Sequence, residues 1–142
     1  MNMLHTDGCV AGERYRYDHP RIYPDILNDM MFKPGDLAPG DRVALPDLLA
    51  LDGRRLHWPE PGETRPLFLV FGSATCPVTE SAAEGLTRLH SSYGHALRFL
   101  LVNVREAHPG RAVPQPKSAD AKLQHARALR RRHRFPFEVA AD

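Results

Sequence analysis

The stretch Pro66-Leu67-Phe68-Leu69-Val70-Phe71-Gly72-Ser73-Ala74-Thr75-Cys76-Pro77-Val78-Thr79 constrains this chain more than any other. Leu67 to Phe71 is an unbroken apolar run rich in β-formers, the pattern of a strand buried on both faces. Gly72 and Ser73 break the run. Pro77 has no N–H to lose and a φ preset for the first helical position, so Cys76 is predicted to be the N-cap of a helix. The free N–H groups of the first turn and the positive end of the helix dipole favour a thiolate over a thiol at such a place. The competing reading, a cysteine used as a small buried hydrophobe, does not account for the strand, turn and proline around it.

With 142 residues the chain is long enough to bury a core without disulfides or metals, and a single domain is expected. Nineteen Lys and Arg against 17 Asp and Glu leave a formal charge of +2, which argues against nucleic acid or an anionic membrane as a general partner. Two cysteines, Cys9 and Cys76, are too few for a disulfide framework and too dispersed for a structural zinc site. No signal peptide core is present, and no run approaches the roughly 20 apolar residues of a membrane span. These features predict a cytoplasmic, reduced setting and no membrane association.

Residues 1–40 have no sustained period and many turn formers, so they read as an N-terminal arm, with a short helical turn near Asp25 to Phe32. Tyr15, Tyr17 and Tyr23 stand there among Arg14, Arg16 and Arg21. Such residues form stacking platforms for single strands, but an arm lying across its own domain is the preferred reading. Residues 41–142 form the domain. Leu45, Leu48, Leu49 and Leu51 lead to Asp52-Gly53, and Arg54-Arg55-Leu56-His57-Trp58 returns, which predicts a β-hairpin. After Cys76, the residues Ala82, Ala83, Leu86, Leu89 and Tyr93 recur at helical steps up to Gly94. Leu97 to Val104 is a second buried strand, so a βαβ unit with parallel strands and a right-handed crossover is expected. The prolines and glycine between Ala107 and Lys117 make a loop, Ala119 to His133 a helix, and Phe135 to Ala140 a short strand. The order ββ-βαβ-αβ is an α/β sandwich. Arg127, Arg130, Arg131, Arg132 and Arg134 make the end of the last helix basic, read first as a solvated helix C-terminus.

In an open parallel sheet, ligands bind beyond the carboxyl ends of the strands. Cys76 lies just past one strand, and Arg105-Glu106-Ala107-His108 just past its parallel neighbour, so both emerge on one edge of the sheet. A histidine or carboxylate beside a cysteine takes its proton, holds the thiolate or protonates a leaving group. Cys76, His108 and Glu106 are therefore the candidate catalytic residues, with Thr75, Pro77 and Thr79 supporting. Thr79 occupies the place of the second sulfur in a C-x-x-C dithiol, so regeneration needs an external thiol or the distant Cys9 as resolving residue. His57, Trp58 and His125 are unclustered and read as structural, and no metal-ligand spacing is present.

The run Gly72-Ser73-Ala74-Thr75-Cys76-Pro77, then an amphipathic helix, then Phe99 through Pro109 resembles the iodothyronine deiodinases and their bacterial deiodinase-like relatives. Pro34-Gly35-Asp36-Leu37-Ala38-Pro39 and Leu51-Asp52-Gly53-Arg54 resemble the opening of redoxin and peroxiredoxin domains. The resemblance implies a thioredoxin-like fold in which Cys76 stands where the animal enzymes carry selenocysteine, with Glu106 and His108 matching residues that bind substrate and move protons. Pro116 stands in a stretch where many members have a second histidine. The implied function is a thiol oxidoreductase acting on an oxidised or halogenated small molecule, with no bound cofactor and with thioredoxin or glutathione as reductant. Peroxide is the nearest rival substrate, and a non-catalytic thioredoxin-fold interaction module is the reading from a different class. The resemblance also implies further C-terminal elements after Asp142, so the domain is expected to be C-terminally incomplete, with an exposed sheet edge available for an oligomer or another partner.

Overall fold

The structure is a computed structural model that describes residues 31–44, 47–58 and 60–142. Most of the expected N-terminal arm, including Cys9 and its three tyrosines, lies outside the described residues, as does all but the end of the expected turn near Asp25 to Phe32. Residues 31–44 are exposed and carry two turns, in which Asp36 and Asp41 accept from the backbone N–H groups of Lys33 and Ala38 at 2.7 Å each.

Among the described residues five strands form one mixed sheet in the order β2-β1-β5-β4-β3. The hairpin pairs β1 (Leu48–Ala50) antiparallel with β2 (Arg55–Leu56) around Asp52-Gly53. Gly53 has φ 88, which a side chain would resist, and Asp52 accepts from the Arg54 N–H at 2.9 Å. The parallel core is β3 (Leu67–Gly72), β4 (Arg98–Asn103) and β5 (Glu138–Ala141), with β1 closing antiparallel on β5. Helix α1 (Pro77–Tyr93) links β3 to β4, and α2 (Ala119–His133) links β4 to β5.

Both helical crossovers step across the sheet in the same direction, so a common right hand puts both helices on one face. The packing follows. Ala83 of α1 and Leu123, Ala126 and Leu129 of α2 are buried with Phe99, Leu101, Phe135, Phe137 and Val139. Within this layer Phe68 and Phe99, neighbours in register across β3 and β4, lie 4.9 Å apart, and Phe137 lies 5.6 Å from Phe99. Three places differ from expectation, and at the first Ala82, expected on the inner stripe of α1, is exposed. Tyr93 is half exposed, whereas His90 packs edge-on to Phe99 at 5.1 Å, because the imidazole fills the groove against the aromatic layer. The last strand begins at Glu138 rather than Phe135, since Phe135 and Phe137 turn into this core before pairing starts.

The opposite face carries Leu48, Leu100, Val102 and Ala140, with Leu56, Leu67, Leu69 and Val104 around them. No helix of the described residues lies on it. Arg98 fastens its margin. The guanidinium, 14 % exposed, bonds Glu138 at 2.7 Å, pairs with Glu60 and sits 5.2 Å from the Trp58 ring centroid. It thereby ties the hairpin return and the proline-rich linker to the sheet.

The strand Leu67–Gly72 is not buried on both faces as its apolar run predicts. It is an edge strand, mostly half-buried, with Phe71 63 % exposed. Alternation still holds along it: Phe68 and Val70 face the helices, while Leu67 and Leu69 face the open side.

The linker before β3 is held at its other end by Arg65, which bonds both oxygens of Glu63 and the Gly94 carbonyl at 3.0 Å. The Arg65 hydrogen bonds hold the Glu63 carboxyl down from its usual 4.5 to about 2. A carboxyl depressed in the folded state adds stability above its ordinary value and loses it as pH falls. A carboxyl-detected NMR titration is therefore expected to place the Glu63 midpoint near 2, with its contribution fading between pH 4.5 and about 2; Arg65→Gln should return the midpoint toward 4.5.

Candidate functional site

The in-register parallel pairing of β3 and β4 ends at Gly72↔Asn103, so the two following segments, 73–76 and 104–108, leave the sheet side by side. Val104 N–H extends the ladder by one bond to the Gly72 carbonyl at 2.9 Å. Cys76 is the N-cap of α1, in an extended conformation, with Pro77 as the first helical residue. Its N–H donates to the Ser73 carbonyl at 3.3 Å and its carbonyl accepts from Glu80 N–H at 3.1 Å. The sulfur makes no capping bond and the thiol is free and partly exposed.

Glu106 organises the site. Its side chain is fully buried, and both oxygens are engaged. The backbone N–H and hydroxyl of Thr75 donate to one oxygen at 2.9 and 2.8 Å, and His125 Nδ1 lies 2.8 Å from the other. The Glu106 N–H donates to Gln115 Oε1 at 2.7 Å, which draws the proline-rich loop 107–117 down onto the site. Burying a carboxyl is tolerated only where its acceptor positions are filled, and three donors converge here. Two more bonds stitch the segments together: Ala107 N–H to Ser73 Oγ at 3.2 Å and His108 N–H to Thr75 Oγ1 at 3.0 Å.

The predicted residues thus divide. Thr75 and Glu106 are brought into direct contact on the doorstep of Cys76, and Pro77 starts the helix. His108 is positioned through its backbone beside Thr75, with its side chain at the exposed surface. Thr79 is buried, and its hydroxyl accepts from Ser73 N–H at 3.3 Å, so the place of a second dithiol sulfur is taken by a turn-locking hydroxyl. His57 and Trp58 lie away from the site, at the Arg98 end of the sheet.

His125 was expected to be structural and unclustered, and the structure corrects the second point by placing it beside Glu106. It lies on the second turn of α2, held against Glu106, and is 17 % exposed. No local motif announces it, because its partner is in a loop separated from it by Gly110, Pro114, Pro116 and a helix cap. A signal does exist in the helix pattern: His125, one turn before Leu129, stands at the margin of the buried face, where a half-buried imidazole needs a polar partner. Ser118 N-caps this helix, accepting from Ala121 N–H at 3.2 Å, and so sets its register under Glu106. Among the described residues no group of three or more His, Cys, Asp or Glu side chains is arranged to hold a metal ion.

This arrangement, a parallel βαβ core with a free cysteine at the helix N-cap beyond the strand ends, defines a thioredoxin-like α/β protein. A solved structure of a hypothetical protein, SMc02350 from Sinorhizobium meliloti 1021, superposes on 76 % of the chain with a TM-score of 0.59 at 21 % identity, spanning 55 % of that protein. The family model for iodothyronine deiodinase matches residues 26–137, and the chain belongs to that family. It is 32 % identical over 104 residues to thyroxine 5-deiodinase of Rattus norvegicus and 31 % identical over 104 residues to that of Homo sapiens. Each match covers 67 % of this chain, which spans about a third (33 %) of the length of those relatives. No helix among the described residues is long and apolar enough to cross a membrane.

Gly72 is required by the site's own packing. A Cβ there would lie 2.9 Å from Thr79 Oγ1, a buried side chain with no room to retreat. Gly72→Ala is expected to lower stability by about 1–3 kcal/mol and to perturb the amide resonances of Ser73 and Thr79; denaturant melts and an amide NMR map check both.

Proposed function

We propose that this chain is a deiodinase-like thiol oxidoreductase in which Cys76 is the redox nucleophile for a halogenated small molecule. The observation that supports it most is the buried Glu106, which joins Thr75, the residue before the cysteine, to His125. A fold needs no carboxylate in that place. A proton relay next to a nucleophile does.

In the proposed reaction the Cys76 thiolate attacks the halogen, so a sulfur–halogen bond forms as the carbon–halogen bond breaks. The electron pair left on carbon takes a proton delivered by the histidines, with Glu106 holding His125 in one orientation and tautomer. An external thiol then displaces halide from sulfur to give a mixed disulfide, and a second thiol frees Cys76 as the reductant is oxidised to its disulfide. Substrate and two thiols become dehalogenated product, hydrogen halide and one disulfide. Thioredoxin or glutathione fits the reductant role, and no bound cofactor is called for. Among the described residues no second thiol neighbours Cys76, and the third position after it is Thr79, whose hydroxyl accepts from Ser73 N–H.

The test is halide release from an iodinated phenol with dithiothreitol as reductant. Release is expected to need the thiol, to vanish in Cys76→Ser, and to fall by about 100-fold or more in Glu106→Gln and His125→Phe, the scale of losing general acid–base assistance. Halide release that persists in Cys76→Ser overturns the proposal. Turnover of hydrogen peroxide in place of the iodinated phenol would assign the same cysteine to peroxide reduction.

A further inference from the structure

Three arginines of α2, Arg127, Arg130 and Arg131, and the C-cap Arg134 recur at steps of three, one and three, the spacing of a single helical face. At 1.5 Å rise per residue the stripe is about 10 Å long. Together with Leu51 of the hairpin turn and Phe135 it lines an open depression of about 490 Å³. We propose that this depression is a binding site for a small anion made of linked phosphates.

The arginines on this helix end are sorted by direction. Arg132, on the flank toward α1, bonds Glu80 at 2.7 Å. The four that line the depression make no ion pair among the described residues. Asp52, next to Leu51, is within 4.0 Å of Arg54 instead. Two of the four are held in place by neutral acceptors. Arg127 donates from Nε to the Leu51 carbonyl at 2.8 Å, with Nη2 on the same oxygen, and Arg130 Nε reaches the Phe135 carbonyl at 3.5 Å. Anchoring to carbonyls fixes the guanidinium planes and leaves their positive charge uncompensated.

A solvated helix C-terminus attracts cations, but its dipole amounts to roughly half a charge, which one arginine offsets. Its last carbonyls are also engaged: Arg134, at φ 52, and Phe135 fold back so that their N–H groups donate to the Arg131 and Arg130 carbonyls at 3.4 and 3.3 Å. The surplus charge therefore faces the depression. Planar guanidinium forks match phosphate oxygens in pairs. One phosphate reaches a neighbouring pair of guanidiniums, whereas a linear chain of phosphates engages the stripe along its length. Arg127 follows His125 by only two residues, but that is about 200° around the helix, so the stripe faces away from His125 and its ligand is separate from the substrate of Cys76.

The experiment is titration calorimetry of the protein with tripolyphosphate, monophosphate and a ten-nucleotide oligothymidylate. Tripolyphosphate is expected to bind with one site per chain and at least about tenfold tighter than monophosphate. The double variant Arg131→Gln, Arg134→Asn spares both carbonyl-anchored guanidiniums, and asparagine tolerates the left-handed backbone at position 134. It should weaken tripolyphosphate at least about tenfold with an unchanged far-UV circular dichroism spectrum, while Arg88→Gln on α1 leaves binding unaltered. The proposal is overturned by non-saturable binding of tripolyphosphate, by equal affinity in the double variant, or by an equal loss in Arg88→Gln. Tighter binding of the oligothymidylate than of tripolyphosphate also overturns it, making the stripe a nucleic-acid surface.

Discussion

The parallel pairing of β3 with β4, unbroken from Leu67↔Arg98 to Gly72↔Asn103, is the constraint on which the rest of this structure depends. A parallel ladder in which both strands end together delivers their continuations to one place. Here those continuations are the turn that presents Cys76 and the loop that carries Glu106 and His108. A slip of one residue would invert the faces of β3, placing Phe68 and Val70 on the open side and Leu67 and Leu69 under the helices. It would also separate Thr75 from Glu106. The aromatic contact between Phe68 and Phe99 and the close fit of Thr79 over Gly72 both enforce the register, one in the middle of the strands and one at the end that matters chemically.

Beyond the strand ends, the structure relies on one buried carboxyl. Glu106 is inside because its neighbours satisfy it: two donors from Thr75 on one oxygen and His125 on the other. The same bonds do three things at once. They pin the turn before Cys76, fix the ring of His125, and tie α2 to the loop after β4. Membership of the iodothyronine deiodinase family and this geometry are independent observations, one from the chain's similarity and one from its packing. At the third position past Cys76, the place of a second dithiol sulfur, stands the neutral hydroxyl of Thr79, which secures the turn.

The two ends of α2 carry different tasks. Its first turns stand under the site, capped by Ser118 and joined to Glu106 through His125. Its last turns present arginines to the hairpin, with Arg127 bonded to the Leu51 carbonyl. Between them Leu123, Ala126 and Leu129 are buried in the helical layer. The helix is thus a rigid spacer whose core face holds both ends in position. On the other side of the sheet the Arg98 cluster does comparable work, binding Glu60, Glu138 and Trp58 around the strand β4 that both layers share.

Much of the fold was legible in the sequence. The hairpin about Asp52-Gly53, the helix from Pro77 to the residue before Gly94, the helix from Ala119 to His133 and the parallel βαβ unit follow from turn chemistry, capping and periodicity, which act within a few residues. The apolar run from Leu67 misled about burial, because hydrophobicity records that a strand has a core to face but not how many neighbours it has in the sheet. The place of Cys76 and Glu106 beyond adjacent strand ends was also legible, since strand ends in a βαβ unit have a fixed relation. His125 was not. Its partnership with Glu106 spans a loop and a helix start, and the distance between them is decided by how α2 docks. By itself, then, the sequence determined the elements, their order and the cysteine at the helix N-cap, because these rest on local backbone and capping physics. Only the tertiary structure decided that Glu106 is buried, that His125 and Thr75 share it, and that four arginines converge on one depression, because each depends on packing between elements distant along the chain.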